Sequence, residues 1–191
     1  MIKLYGRNIW PSIALVAGIQ TAVLGYMIGE RVIVLKTGKE IVLPVVPVDP
    51  RSLFRGDYVI LSYDITRIPG EMLPDGSTRG DRLYVTIEKT EEDSYKAIAV
   101  SLKHPRVVAD NRAVLQGWLK YGRMSGGQRP KFGVIRYGLE SYFVPENSGR
   151  ALEDTAREKK LQAIVAVDRD GKSAIKGLVI DGERVYDEPM F

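Results

Sequence analysis

A run of 21 consecutive uncharged residues, 9–29, constrains this chain more than any other feature. As a helix it is about 30 Å long, which matches the hydrocarbon core of a bilayer. Trp10 and Tyr26 stand near its two ends, where aromatic rings favour the membrane–water interface. The pattern predicts an N-terminal membrane anchor over residues 1–30 and a soluble domain over residues 31–191. A cleaved signal peptide is the alternative, although the run exceeds a usual signal h-region and no clean A-x-A site follows it.

Inside the predicted anchor, Gln20 is the strongly polar residue in mid-span. A hydrogen bond from Gln20 to a partner helix in the membrane is one interpretation, with Gly18, Ala22 and Gly25 allowing close approach, and it makes Gln20 a candidate partner contact. We favour the other interpretation, that Gln20 is simply tolerated there, since such bonds contribute little stability. A homo-oligomer through this segment stays open.

The cations that flank the anchor are nearly balanced. Lys3 and Arg7 precede it, whereas Arg31, Lys36 and Lys39 follow it. Because the first 29 residues contain no acid, we favour a cytoplasmic N-terminus, with the domain periplasmic or extracellular.

Composition excludes several kinds of site. The chain has no Cys and one His, so it contains no disulfide, thiol nucleophile or multi-histidine metal centre. Its 28 basic and 24 acidic residues are mixed, with no run that suggests a nucleic-acid partner. No glycine-rich phosphate loop precedes a helix, and we expect no cofactor.

Beyond the anchor, the apolar residues alternate with period two, which indicates β-strands. The pattern predicts a hairpin over residues 31–35 and 40–48, a strand over 58–65, and a hairpin over 83–89 and 95–102. Further strands are predicted over residues 113–122 and 132–146, and a final hairpin over 163–168 and 174–182. Residues 150–162 are the one convincing soluble helix. The predicted fold is mainly β (α+β): an N-terminal transmembrane helix followed by a β-hairpin-rich barrel or sandwich-like domain with one helix.

One octapeptide, GDYVILSY at residues 56–63, carries a recognisable motif. Its Gly56, Asp57, Tyr58, Leu61 and Tyr63 match the letters that define the GDYXXLXY domain family, which the chain resembles. The apolar anchor, the lead-in LPVVPVDPRSLFR and a second block, YGLESYFVPE at residues 137–146, extend the resemblance over nearly the whole chain. The resemblance implies a small, membrane-anchored bacterial protein that works beside a polytopic membrane protein, and it carries over no catalytic residue.

The motif allows two interpretations. In the first it is a folding signature, with a turn at Gly56–Asp57 followed by a strand whose Leu61 and Tyr63 face the core. In the second it forms a polar groove that binds a peptide, a glycan or a loop of the membrane partner. If the two motif blocks pair as strands, the groove contains Arg55, Asp57, Tyr58, Glu140, Tyr142 and Glu146.

An enzymatic alternative is a membrane-tethered hydrolase, because the anchor and the Gly-Asp strand faintly resemble type I signal peptidases. Such enzymes use a serine nucleophile and a lysine base, for which Ser52 and Lys89 are the candidates. The segment after Ser52 departs from the peptidase pattern, so a non-enzymatic accessory protein is the leading hypothesis and a ligand- or peptide-binding sensory domain the second.

Overall fold

The computed structural model describes residues 10–46, 58–91, 94–105, 109–122, 130–143 and 161–187. Within these ranges the chain forms one long N-terminal helix and then a mostly β domain with a nearly closed, barrel-like sheet. The predicted fold class is therefore confirmed.

Helix α1 (Trp10–Thr37) is seven residues longer at its carboxyl end than the hairpin interpretation allows. Residues 31–35 were predicted as a strand, and that prediction is wrong. The apolar triplet at residues 33–35 is compatible with the period of a helix and with that of a strand. The structure is helical there, because the adjacent residues Val34 and Leu35 both pack against the sheet, whereas in a strand they would point to opposite sides. The helix ends at Gly38, whose N–H donates to the Val34 carbonyl at 2.9 Å.

Gly38 is required at this helix-to-strand change. A Cβ there would lie 2.5 Å from the Val34 carbonyl oxygen and 2.9 Å from the backbone nitrogen of Val167. Only glycine lets α1 turn so closely into the first strand.

The strands form three antiparallel sheets. The first has the order β12-β11-β10-β1-β3 and consists of β1 (Lys39–Val46), β3 (Ser62–Tyr63), β10 (Leu161–Val167), β11 (Ser173–Ile180) and β12 (Glu183–Asp187). The second has the order β4-β8-β7-β5-β6 and consists of β4 (Arg67–Pro69), β5 (Arg82–Lys89), β6 (Tyr95–Ser101), β7 (Arg112–Tyr121) and β8 (Phe132–Arg136). The third pairs β2 (Tyr58–Ile60) with β9 (Ser141–Phe143).

Both hairpins predicted after the motif are confirmed, β5 with β6 and β10 with β11. The last strand, β12, was not predicted. The helix predicted over residues 150–162 lies outside the described residues except for its last two, Leu161 and Gln162, which begin β10 and correct the prediction there.

The strand predicted over residues 58–65 is real but divided. Its first part, β2, pairs with β9, its second part, β3, pairs with β1, and a 3-10 turn follows at Asp64–Thr66. Leu61, Tyr63 and Ile65 are all buried, as the alternation predicts. The motif strand therefore passes from one sheet to another while keeping one face in the core.

A single cluster of buried side chains draws on all three sheets. Leu43 represents the first sheet, Leu83 the second and Tyr142 the third. Strands of all three sheets therefore contribute to one hydrophobic core, which includes Leu61 and Tyr63 of the motif.

Candidate functional site

The two sequence blocks that carry the motif lie side by side. In the β2–β9 pair, Tyr58 is opposite Phe143, Val59 opposite Tyr142 and Ile60 opposite Ser141. The condition set for the predicted groove, that the blocks pair as strands, is met by this register.

Just beyond that pair, two buried phenols join the blocks in opposite directions. Tyr63 donates from its hydroxyl to the Leu139 carbonyl at 2.9 Å. Tyr137 donates from its hydroxyl to the Ile65 carbonyl at 2.7 Å. These two bonds satisfy backbone carbonyls that would otherwise be costly to bury.

Neither phenol can act as an acid or base at ordinary pH. Burial raises the pKa of Tyr63 and of Tyr137 far above the usual range, and the nearby Glu140 charge raises both pKa values further. Both hydroxyls therefore remain protonated hydrogen-bond donors.

The carboxylate of Glu140, a predicted groove residue, stabilises the turn before β9 through two hydrogen bonds. Its Oε1 accepts from the Tyr137 N–H at 2.6 Å and its Oε2 from the Gly138 N–H at 3.0 Å. Gly138 has φ of +82°, a conformation that favours glycine. The backbone carbonyl of Glu140 also accepts from the Leu61 N–H at 3.0 Å, so Glu140 connects the turn to the motif strand.

The other predicted groove residues divide into two groups. Tyr142 is buried, with 6% of its surface exposed. Arg55, Gly56, Asp57 and Glu146 lie outside the described residues, as does the side chain of Tyr58. The convergence of these groups in one groove stays a prediction, whereas the described contacts of Leu61, Tyr63 and Glu140 are those of a folding signature.

A second feature joins α1 to the domain. Val34 and Leu35 of the last helical turns pack against Ala166 of β10 and Ala174 of β11. Lys172, in the turn between those strands, forms an ion pair with Glu30. The hydrogen bond to Glu30 raises the pKa of Lys172, and the negative charge of Glu30 adds to that effect.

Where helix and domain meet there is a groove with a volume of about 880 Å³. It is lined by the end of α1, the start of β1, the segment around His104, the start of β7 and the β10–β11 turn. His104 is one of the lining residues, and its ring lies edge-on to Tyr84 at 5.2 Å between centroids. No spacing pattern could have identified this groove, because five separate segments assemble it.

Two charged side chains that line the groove form hydrogen bonds with the backbone. Lys39 donates to the Asp110 carbonyl and, at 3.1 Å, to that of Arg112. Asp168 accepts from the N–H of Asp170 at 2.9 Å and of Lys172 at 2.8 Å. Lys39 and Asp168 therefore both make hydrogen bonds within the fold.

The described part of the chain contains neither a metal-binding group of side chains nor the predicted Ser/Lys pair. Within the described ranges, no group of three or more His, Cys, Asp or Glu residues could hold a metal ion. Lys89 ends β5, whereas Ser52 lies outside the described residues, so the structure brings no Ser/Lys pair into view. Gln20 lies on the exposed part of α1.

Comparison with family models identifies the family that this chain resembles. A family model described as GDYXXLXY protein matches residues 20–178, which include most of α1, both motif blocks and nearly all of the strands. Neither the curated proteins nor the solved structures provide a match.

Proposed function

Because the chain belongs to the GDYXXLXY family, we propose that it is a single-pass membrane accessory protein whose extracytoplasmic β domain contacts a polytopic membrane protein. One observation carries the proposal: α1 runs without interruption from a fully exposed apolar segment into the packed side of the β domain. A domain attached in this way is held at a fixed height and orientation above the bilayer.

The exposed part of α1 has the properties of a membrane span. Every residue from 10 to 28 is exposed, and the helix is long and apolar enough to cross a bilayer. A core helix of a soluble protein would instead be largely buried. Val34 and Leu35 in the last turns of α1 pack on the alanines of β10 and β11, so the same helix continues from the apolar segment into the domain.

The sidedness rests on charge. Lys3 and Arg7 precede the span, and the acid-free start favours a cytoplasmic N-terminus. In that orientation the β domain lies outside the cytoplasm, where it can reach the extracytoplasmic loops of a membrane partner.

The span offers two different contact faces to a partner helix. Gly18, Ala22, Gly25 and Gly29 fall on one side, and a Cβ at any of the three glycines would meet nothing within 4 Å. Gln20 falls roughly 160° around the helix from Gly18, by about 100° per residue. A close-packed helix on the small-residue side and a hydrogen bond to Gln20 therefore require different partner helices, or different copies of the chain.

The test is purification of the full-length, C-terminally tagged chain from gently solubilised native membranes, with co-purifying proteins identified by mass spectrometry. We expect a polytopic membrane protein in stoichiometric amount. Gly18→Leu should reduce its recovery, whereas Val23→Leu, on a different side of α1, should not. Recovery of the chain without any partner would contradict the proposal.

A second candidate function, a ligand-binding sensory domain, is favoured by the groove of about 880 Å³, which has the size of a small-molecule site. Native mass spectrometry of the purified full chain tests it. A bound small molecule that is lost from an Ala109→Trp variant, which places a large side chain at an exposed lining position of the groove, would support this function. A ligand-free protein would count against it.

A further inference from the structure

The outer surface of the second sheet gathers aromatic and basic side chains that are far apart in the sequence. Cross-strand neighbours point to the same side of a sheet, and the register pairs Trp118 with both Arg82 and Arg136. Val134 lies two residues from both Arg136 and Phe132 on β8, and its partners are Arg67 and Tyr121. We call this surface the basic–aromatic face and define it as Arg67, Arg82, Trp118, Tyr121, Phe132 and Arg136.

The rings of this face are unusually open to solvent. The exposed fractions are 42% for Trp118, 60% for Tyr121 and 39% for Phe132. Among the described residues after α1, only Leu102 and Val185 are other large apolar side chains with comparable exposure. Three of five such residues therefore share one small surface, which is typical of an interaction site.

The same face is positively charged. Its six residues include three Arg, at positions 67, 82 and 136, and no acid. Arg136 is 70% exposed, and its nearest carboxylate, Glu140, is 3.8 Å away and already accepts two backbone N–H groups. Within the described part of the chain, Arg67 and Arg82 have no carboxylate partner.

Arg67 is held in a defined position by Phe132. Its guanidinium carbon lies 3.8 Å from the centroid of the ring, a cation–π contact. A guanidinium held over a ring in this way still has N–H groups that can form paired hydrogen bonds with a carboxylate. It also covers one face of Phe132, which a nucleic-acid base or a sugar ring would need for stacking.

The face is remote from the membrane helix. The start of β7 lines the groove beside α1, and Tyr121 ends that strand. A strand of ten residues is about 30 Å long, so Tyr121 lies about 30 Å along β7 from the groove beside α1. This separation favours an occupant other than the bilayer around the anchor.

We propose that the basic–aromatic face binds an acidic segment of a partner protein, with carboxylates on Arg67, Arg82 and Arg136 and apolar side chains over Trp118 and Tyr121. Trp, Tyr, Phe and Arg are the residues enriched in protein interfaces and in their energetic centres. The positive charge makes an acidic partner complementary. The identification of this segment as a loop of the polytopic membrane partner rests on the proposed function.

The test uses a photo-crosslinking amino acid at position 118 of the full-length chain in native membranes. We expect one crosslinked protein, with the crosslink mapped to a segment rich in Asp and Glu. The combined Arg67→Glu and Arg136→Glu variant should lower the crosslink yield by about tenfold or more. Lys96→Glu, a charge reversal at an exposed residue of β6, is the matched control and should not change it. A crosslinker at Val185 on β12 controls for random collision.

The proposal is overturned if position 118 gives no crosslink, if the product is digested by nuclease or glycosidase, or if charge reversal leaves the yield unchanged in variants that keep the parent circular dichroism spectrum. A second crosslinker at Val23 of α1 separates the two proposals. Crosslinks to a polytopic protein from Val23 alone would overturn the acidic-segment proposal and leave the proposed function standing. Crosslinks from position 118 to an acidic segment of a protein that is not polytopic would support the acidic-segment proposal and contradict the proposed function.

Discussion

The hydroxyl of Tyr63 donates to the backbone carbonyl of Leu139 at 2.9 Å inside the core, 76 residues away in sequence. Tyr137 returns a matching bond to the Ile65 carbonyl at 2.7 Å. Tyr63, the last residue of the motif, and Tyr137, the first residue of the second block, therefore each donate a hydrogen bond to the backbone of the other block. This relationship explains why both blocks contain tyrosine where phenylalanine would fill the same volume.

We expect Tyr63→Phe to destabilise the domain by about 1–3 kcal/mol, because it leaves the buried Leu139 carbonyl without a donor. Thermal and denaturant unfolding of the full chain in detergent measure this change. Tyr121→Phe, at a ring that is 60% exposed, is the matched control and should change the stability by less than about 0.5 kcal/mol. Equal stability of the two variants would show that the Tyr63 bond contributes nothing.

Glu140 separates the two interpretations of the motif. We expect Glu140→Ala to cost about 1–3 kcal/mol, since the N–H groups of Tyr137 and Gly138 lose their acceptor, and Glu140→Gln to cost less because one amide oxygen remains. If Glu140 is structural, partner recovery from membranes should be normal for Glu140→Gln once the variant is folded. Stable Glu140→Gln protein that has lost its partner would instead support the polar groove.

The ion pair between Lys176 and Glu40 should give a modest pH dependence. The hydrogen bond from Lys176 holds the pKa of Glu40 below its ordinary value of 4.5 in the folded state. Because the folded pKa is depressed, the stabilisation is present above the unfolded pKa and is lost as the pH falls through the folded value. Both side chains are partly exposed, so we expect at most about 1 kcal/mol, detected as a steeper acid limb for the parent than for Glu40→Gln.

Gly38 should be sensitive to substitution where Gly29 is not. Gly38→Ala places a Cβ within 2.5 Å of the Val34 carbonyl, and we expect a loss of about 1–3 kcal/mol and looser attachment of α1. Gly29→Ala meets no atom within 4 Å and should be neutral or slightly stabilising. Unfolding measurements and limited proteolysis at the end of α1 compare the two variants, and similar behaviour would contradict the close approach at Gly38.

Much of the fold follows from local pattern. Alternation identified β5, β6, β7 and β8 of the second sheet and the core face of Leu61 and Tyr63, because one side of each strand is buried. It did not identify β4, which has only three residues. It failed at residues 31–35, where adjacent apolar side chains satisfy a helix and a strand equally and only the alanines of β10 and β11 decide. The last strand, β12, was missed: Glu183–Asp187 is short and mostly exposed, so it has no clear alternation.

The sites were harder to predict than the strands. Pairing of the motif blocks could be stated only as a condition, since register is a long-range property. The role of Glu140 depends on the left-handed conformation of Gly138, which brings two N–H groups to one carboxylate. The groove and the basic–aromatic face each combine residues from several segments. A count of charges along the chain cannot detect such a cluster, because its members are far apart in the sequence.

In the proposed function, α1 remains attached and anchors the β domain in the membrane. A peptide map of the C-terminally tagged chain, recovered from carbonate-washed membranes, tests this attachment. We expect the protein to stay in the membrane pellet and to yield the peptides of residues 10–37. A soluble protein whose first residue lies beyond the apolar segment would contradict it, because α1 would then be a signal sequence that is removed.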